Sequence, residues 1–535
     1  MAFEEMIKEL DARKQKALAM GGEQKLAERK AQGLLNARER LDRLFDPGSF
    51  LESGLHGVSV RPEDKETTPA DGKVAGYGRI DGREVAAVSN DFTVKGASSA
   101  QINIKKLKQM KAVAKKRGIP LVFLGESTGA RMPDVMGAGS IGSKDDPYEY
   151  QRMREVPWAA GVLGHCYGSS AWYGSMSDFC VMRKGAIMAV SSPRLISMAT
   201  GKQCDGEELG GWRVHAESSG IVDQVVDTDE QAVDAIKQFL SYLPSNNMQP
   251  PPEYPVPEGS DEAIKDVMKL IPESSNQVYD MRKVVQCIVD RGSMFEMKSR
   301  FGKTIVTALA RLDGKSVGII ANNPLYKGGA IDADACQKVQ AFFVLCDSFN
   351  IPIVMLVDQP GFLIGMEGEQ KGVTGKVMNW LNAMTLVTVP KISVIVRKSY
   401  GLAVSNMGAG GNTDELACWL TAEISFMKPD FGAKVVFGVD PEKEPEKFKE
   451  AVAKMSKGTS PYDMAAIYTA QDVIDPRDTR SWLIRMLDVV GAPVVRSWNV
   501  VHTQSKMLSP AAESFRYFML EEAESHLAQR FGMHW

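Results

Sequence analysis

The chain repeats itself, and that repetition limits its fold more than any other feature. The segment Arg79–Asp91, reading RIDGREVAAVSND, returns as Arg311–Asn323, reading RLDGKSVGIIANN. The spacing of 232 residues then holds without a gap through Lys95-Gly96 and Lys327-Gly328, Ile119-Pro120 and Ile351-Pro352, and Gly129 and Gly361. A single insertion carries it on to Tyr167-Gly168 and Tyr400-Gly401, 233 residues apart. Each copy reads as a hairpin closed by an Asp-Gly turn, then a helix (Gln101 to Arg117; Asp332 to Phe349). A short apolar run follows (Pro120 to Leu124; Pro352 to Val357), which suits a strand covered on both faces of a sheet. Alternating helices and strands in this way predict an α/β domain, built twice. Between the copies, Pro244–Pro257 is too rich in proline for a helix interior or a central strand, so domains at 1–255 and 256–535 are expected.

A length of 535 residues exceeds what one core usually organises, in agreement with two units. Lys and Arg total 64 against 67 Asp and Glu, so the charge gives no support for nucleic-acid binding. No apolar run approaches the roughly 20 residues that span a bilayer, and residues 1–30 mix charges without a signal-peptide core. That segment instead predicts a bracing helix or helical hairpin, stopped at Gly21-Gly22. The seven cysteines are scattered and never form CxxC, which fits a reduced compartment, the bacterial cytoplasm or an organelle matrix. The six histidines have no metal-ligand spacing, and no metal is expected.

Three motifs invite functional readings. Gly125-Glu-Ser-Thr-Gly129 matches the G-x-S-x-G nucleophile elbow after an apolar strand, which makes a serine hydrolase using Ser127 the rival enzyme. Its copy, Val357-Asp-Gln-Pro-Gly361, has Gln for Ser and keeps only the last glycine, so a backbone turn is the preferred reading. A triad would also need one of His165, His215 or His502. Gly137–Gly142 fits G-x-G-x-x-G but has no strand before it, and predicts a flexible loop. Gly302-Lys-Thr304 lacks the earlier glycine of a P-loop and precedes an expected strand.

Five segments carry a family resemblance: Asn36–Phe50 (NARERLDRLFDPGSF), Asn90–Val94 (NDFTV), Gly206–Gly211 (GEELGG), Val357–Phe362 (VDQPGF) and Ile474–Arg480 (IDPRDTR). In identity and order they resemble the carboxyltransferase subunits of propionyl-CoA, methylcrotonyl-CoA and related biotin-dependent carboxylases. The resemblance implies two crotonase-like ββα-superhelix domains and a hexamer, a trimer of dimers, in which the first domain of one subunit faces the second of another. It implies a coenzyme A thioester on the first domain. Biotin, carried by a biotin carboxylase or carboxyl carrier partner, would lie on the second, since no Ala-Met-Lys-Met biotinylation sequence occurs. Carboxybiotin would release carbon dioxide, the ureido anion would take the α-proton of the thioester, and the enolate would attack the carbon dioxide. Decarboxylase subunits that run the transfer backwards share the architecture, and a non-catalytic scaffold paralogue is the reading outside enzymes.

Such chemistry needs hydrogen-bond donors aimed at two oxyanions rather than a side-chain acid or base. The resemblance places these donors at the amides of Gly168 and Ser169 for the thioester and of Leu402 and Ala403 for biotin. Gly129, Ala130, Arg131, Tyr167, Trp172 and Ser405 are expected on the substrate side, with Arg131 suited to a phosphate or pantetheine contact and equally to a surface ion pair. Gly361, Phe362, Tyr400 and Gly401 are expected on the biotin side. Lys95 and Lys327, matched in the repeats, could neutralise ligand charge, and His165 could orient a substrate. Propionyl-type enzymes usually show Gly-Gly at Gly168-Ser169, Gly-Ala at Leu402-Ala403, Asp at Ser405 and a smaller residue at Thr128. A propionyl group is therefore not assumed.

Overall fold

The computed structural model describes residues 2–138 and 150–490, and there the repeat of letters is a repeat of topology. The first sheet comprises β1 (Leu51–Glu52), β2 (Lys73–Ile80), β3 (Arg83–Asn90), β4 (Leu121–Ser127), β5 (Trp158–Tyr167), β6 (Phe179–Arg183), β7 (Ile187–Ala189) and β8 (Gln224–Val226). The second comprises β9 (Phe295–Met297), β10 (Ile305–Leu312), β11 (Lys315–Asn322), β12 (Ile353–Gln359), β13 (Lys391–Tyr400), β14 (Glu415–Trp419), β15 (Glu423–Ser425) and β16 (Asp472–Ile474). Their orders correspond: β1-β2-β3-β4-β5-β6-β8 with β7 beside β5, and β9-β10-β11-β12-β13-β14-β16 with β15 beside β13. Three antiparallel strands lead into parallel ones in both. Even the register is copied, Ala86 facing Leu121 and Gly318 facing Ile353.

Local chemistry explains the elements. Both hairpin turns have positive φ at their two central residues, 48° and 77° at Asp81-Gly82 and 53° and 75° at Asp313-Gly314, which matches the twist of the strands they join. The helix Gln101–Arg117 stops at Gly118 in the left-handed region. The helix Ala333–Ser348 starts where the Asp332 carboxylate accepts the Ala335 amide at 2.8 Å. Strands β4 and β12 are buried along their whole length, as their apolar runs predict.

The two halves share a core. Phe179 and Phe239 of the first stack at 4.7 Å, and Phe295, on the opening strand of the second, lies 5.4 Å from Phe179. The N-terminal segment forms the expected hairpin, Ala2–Leu18 and Glu23–Ala31, broken at Met20–Gly22 where the Gly21 amide donates to Thr93 Oγ1. It is fastened by Arg29, whose guanidinium donates to the buried Glu126 at 2.8 Å. Arg40 bridges Glu126 and Asp229 at 3.0 and 2.8 Å. Among the described residues, no helix is long and apolar enough to cross a membrane.

Candidate active site

Strands β4 and β12 end in the same irregularity. Pairing slips between Gly125 and Ser127 in one and between Val357 and Gln359 in the other. Beyond it Ser127 Oγ accepts the Gly129 amide at 3.1 Å, and Gln359 Oε1 accepts the Gly361 amide at 2.5 Å. Serine and glutamine thus do one job, holding a glycine turn, and Ser127 is fully buried. His165 packs its exposed ring against Phe92 and Tyr167. His215 bonds Met188 O and Ser219. Neither histidine is bonded to Ser127, while His502 and most of the Gly137–Gly142 motif lie outside the described residues. Gly302-Lys-Thr304 leads into strand β10 as expected.

Each glycine turn is clamped by a neighbouring loop. The Ser99 amide donates to Gly129 O at 2.7 Å and the Arg131 amide to Ser99 O at 2.8 Å. In the copy the Ile331 amide donates to Gly361 O and the Leu363 amide to Ile331 O, at 3.1 and 2.8 Å. Ala130 and Phe362 are the bridged partners of Ser99 and Ile331. The clamping loops are reached through three left-handed residues each, φ 48°, 59° and 49° at Lys95-Gly96-Ala97 and 48°, 66° and 85° at Lys327-Gly328-Gly329. For a residue with a Cβ this conformation costs about 1–2 kcal/mol, and it is retained in both copies.

The turns after β5 and β13, where the donors are expected, match in backbone. Gly168 and Gly401 adopt φ of 61° and 66°. The Gly401 amide donates to Ser425 O at 3.0 Å, and the Gly168 amide donates likewise to Ala189 O at 3.2 Å. The Gly168 amide is therefore directed at the parallel strand β7. The amides that follow, Ser169 and Ser170 in one copy and Leu402 and Ala403 in the other, form no hydrogen bond among the described residues. They open the helices that run to Met176 and Asn406, where first-turn amides have no carbonyl four residues back. Ser169-Ser170 and Leu402-Ala403 stand at equivalent places, 233 residues apart.

Other expected residues sort by exposure. Tyr167 and Tyr400 are buried beneath their turns, and burial drives the Tyr400 phenol far above its ordinary pKa. Trp172 is half-exposed, edge-on to Tyr150 at 5.0 Å. Ser405 is held by Asn412, which donates to its carbonyl. Leu402 is 72% exposed, on the open side of its turn. Arg131 forms an ion pair, a buried one rather than a surface one, with Nη1 on Asp71 at 2.7 Å and Nε and Nη2 on Ser98 at 3.2 Å. These bonds fasten the loop that carries Ser98. Lys95 pairs with Asp64 at 3.0 Å, and Lys327 lies 3.6 Å from both Asp332 and Glu367. A cavity of about 750 Å³ beside the first turn is lined among others by Lys25, Phe92, Lys95 and His165, with Arg29 and Arg183, which are paired with Glu126 and Asp229, and with the acidic Glu28 and Glu126. Sequence reading missed this cavity, Ser99 and Ser170; only the offset of 233, applied to Leu402 and Ala403, could have pointed to Ser170.

Known proteins give this geometry a class. Residues 28–494 match the family model described as the carboxyl transferase domain. The chain is 35% identical over 498 residues to the methylmalonyl-CoA decarboxylase subunit alpha of Veillonella parvula, covering 91% of this chain and 96% of that one. It is also 35% identical to the methylmalonyl-CoA carboxyltransferase 12S subunit of Propionibacterium freudenreichii subsp. shermanii, covering 91% and 94%. The crystal structure of transcarboxylase 12S, a hexamer with methylmalonyl-coenzyme A and methylmalonic acid bound, superposes with a TM-score of 0.85 at 33% identity, covering 94% and 98%. The duplicated sheets are the crotonase-like fold of carboxyltransferases. The chain belongs to the carboxyl transferase family, and it is an enzyme of the acyl-CoA carboxylase carboxyltransferase type.

Proposed function

We propose that this chain moves a carboxyl group between biotin on a partner protein and the α-carbon of an acyl-CoA, with the thioester oxygen at the Ser169 and Ser170 amides and the biotin ureido oxygen at Leu402 and Ala403. One observation carries the reading: the duplicated fold holds two equivalent turns, each with two consecutive amides that are unpaired among the described residues, behind a glycine whose own amide is spent on the sheet. Biotin, when bound, supplies the activated carboxyl group and a basic ureido nitrogen. The second turn suits it, because the Leu402 and Ala403 donors have no competing acceptor among the described residues. At the first turn, preorganised donors stabilise negative charge on the thioester oxygen by about 3 kcal/mol each, which acidifies the neighbouring C–H. We place the phosphates of coenzyme A in the cavity beside that turn, where the exposed Lys25 and Lys95 can reach them.

Apolar side chains stand exposed just beyond the strand that secures each turn, Val190, Leu195 and Met198 after β7 and Phe426, Phe431 and Val435 after β15. We take these rims as subunit contacts in a hexamer, with the first turn of one copy facing the second turn of another. Seven free thiols fit a reduced compartment, the bacterial cytoplasm or an organelle matrix. The purified chain, given malonyl-CoA or methylmalonyl-CoA and free biotin, is expected to form carboxybiotin with loss of the acyl carboxyl group. No turnover across a panel of acyl chains would favour a scaffold. Physiological transfer towards biotin is a second reading, favoured by the 35% identity to a decarboxylase subunit, and the in vivo direction of flux distinguishes it.

A further inference from the structure

The two cradles match in backbone and differ in the side chains at their mouths. In the first, Ser99 Oγ and Ser169 Oγ lie 3.0 Å apart, within hydrogen-bond distance. In the second, the corresponding positions hold Ile331 and Leu402, whose side chains have no hydrogen bond to offer. Ser99 is buried and fixed on both sides, its amide on Gly129 O and its carbonyl under the Arg131 amide. The preceding Ser98 is held by Arg131 and by Asn103 Nδ2, which donates to its carbonyl at 2.8 Å. Ser169 is partly open and carries one of the unpaired amides.

Hydroxyl arithmetic limits what such a pair can do. Each serine has one proton, and the bond between them uses one of the two. When fixed Ser99 donates, its proton is spent and the Ser169 proton remains. That proton and the unpaired amide belong to one residue and can converge on one oxygen.

We propose that Ser169 is a third hydrogen-bond donor to the thioester oxygen, through its hydroxyl, and that Ser99 is the positioning residue that aims it. This rests on the carboxyl-transfer reading for the identity of the oxygen. The consequence is a division of labour: the hydroxyl-bearing cradle favours the oxygen with the greater change in charge, the enolate, while the Ile331 and Leu402 cradle favours a ureido oxygen and an apolar neighbour.

The test pairs kinetics with binding in the full chain. The ligands are free coenzyme A and a coenzyme A thioether whose nitronate group reproduces the planar negative enolate. Ser169→Ala is expected to lower kcat about tenfold with little change in KM, and to weaken nitronate binding by a similar factor, as for loss of a hydrogen bond to a charged oxygen. Free coenzyme A should bind unchanged. Ser169→Thr should restore most of the loss. Ser99→Ala should cause a smaller loss, and the double variant should be no worse than Ser169→Ala. Equal nitronate binding by wild type and Ser169→Ala overturns the donor assignment even if carboxyl transfer is confirmed. A wild type that turns over no acyl-CoA, yet loses nitronate affinity on Ser169→Ala, sinks the carboxyl-transfer reading and keeps the donor.

Discussion

The Arg131 guanidinium lies 2.7 Å from the Asp71 carboxylate, and the pair is buried. Asp71 sits in a left-handed turn with φ of 48° and also accepts the Asn103 amide. Burial raises its pKa, while Arg131 opposes the rise. The same guanidinium reaches the side chain and carbonyl of Ser98, so the pair ties the start of β2 to the loop that delivers Ser99.

Arg131→Ala should therefore act on stability first. Removing one partner of a buried ion pair costs on the order of 3–5 kcal/mol, visible as a lower urea midpoint at unchanged slope. Affinity for free coenzyme A should change little, because the guanidinium is turned away from solvent. Weakened coenzyme A binding at an unshifted midpoint would return Arg131 to the role of phosphate ligand.

Ser127→Ala tests the nucleophile elbow. Its hydroxyl is the acceptor for the Gly129 amide, so alanine leaves a buried donor unpaired at a cost of about 1–3 kcal/mol. Carboxyl transfer should persist within a few-fold, and the wild-type chain should show no thioester hydrolysis for the variant to lose. Hydrolysis by wild type that vanishes in Ser127→Ala would establish the hydrolase.

Duplication made the fold legible, because each weak signal appeared twice. The Asp-Gly turns, the helices and the strands at Leu121 and Ile353 follow from local patterns that the copies corroborate. Turns that bind through amides left a fainter trace. Nothing in the letters of Gly168-Ser-Ser says which amide is spent on Ala189, because that depends on how far β7 slides along β5. The burial of Arg131 was illegible for a related reason: its partner Asp71 is 60 residues away, and a buried pair looks in sequence like an exposed charge. Ser99 is polar in one copy and Ile331 apolar in the other, so a comparison that sought sameness passed over it.

Gly168→Ala should separate backbone strain from crowding. The position has φ 61° and ψ −126°, and an added Cβ would meet nothing within 4 Å. The penalty is purely conformational, about 1–3 kcal/mol. Relief by rotating the peptide would swing the Ser169 amide off its target, and losing one such donor lowers kcat by about 10²–10³. A large fall in kcat with modest changes in KM and melting temperature is expected. Unaltered kcat would remove the turn from the mechanism.

Lys338 gives the chain a predictable response to pH. It is buried beneath the second sheet's entry, its ammonium donating to Phe301 O at 3.1 Å and Ile305 O at 2.7 Å. Its counterpart Lys106 donates to Ala70 O and Lys73 O. Burial is the largest influence on Lys338 and lowers its pKa from 10.5 to about 7, with Glu296 opposing. Between those values the unfolded chain holds a proton that the folded chain has released, so stability rises with pH across the window, and below about 7 the cost of the buried charge is present in full. Lys338→Met deletes that proton difference and should flatten the slope of unfolding free energy against pH by up to about 1.4 kcal/mol per pH unit. Urea titrations at a series of pH values across the window measure the slope directly. An identical slope in wild type and variant would mean that Lys338 stays protonated in the folded chain, sustained by its two carbonyl acceptors and Glu296.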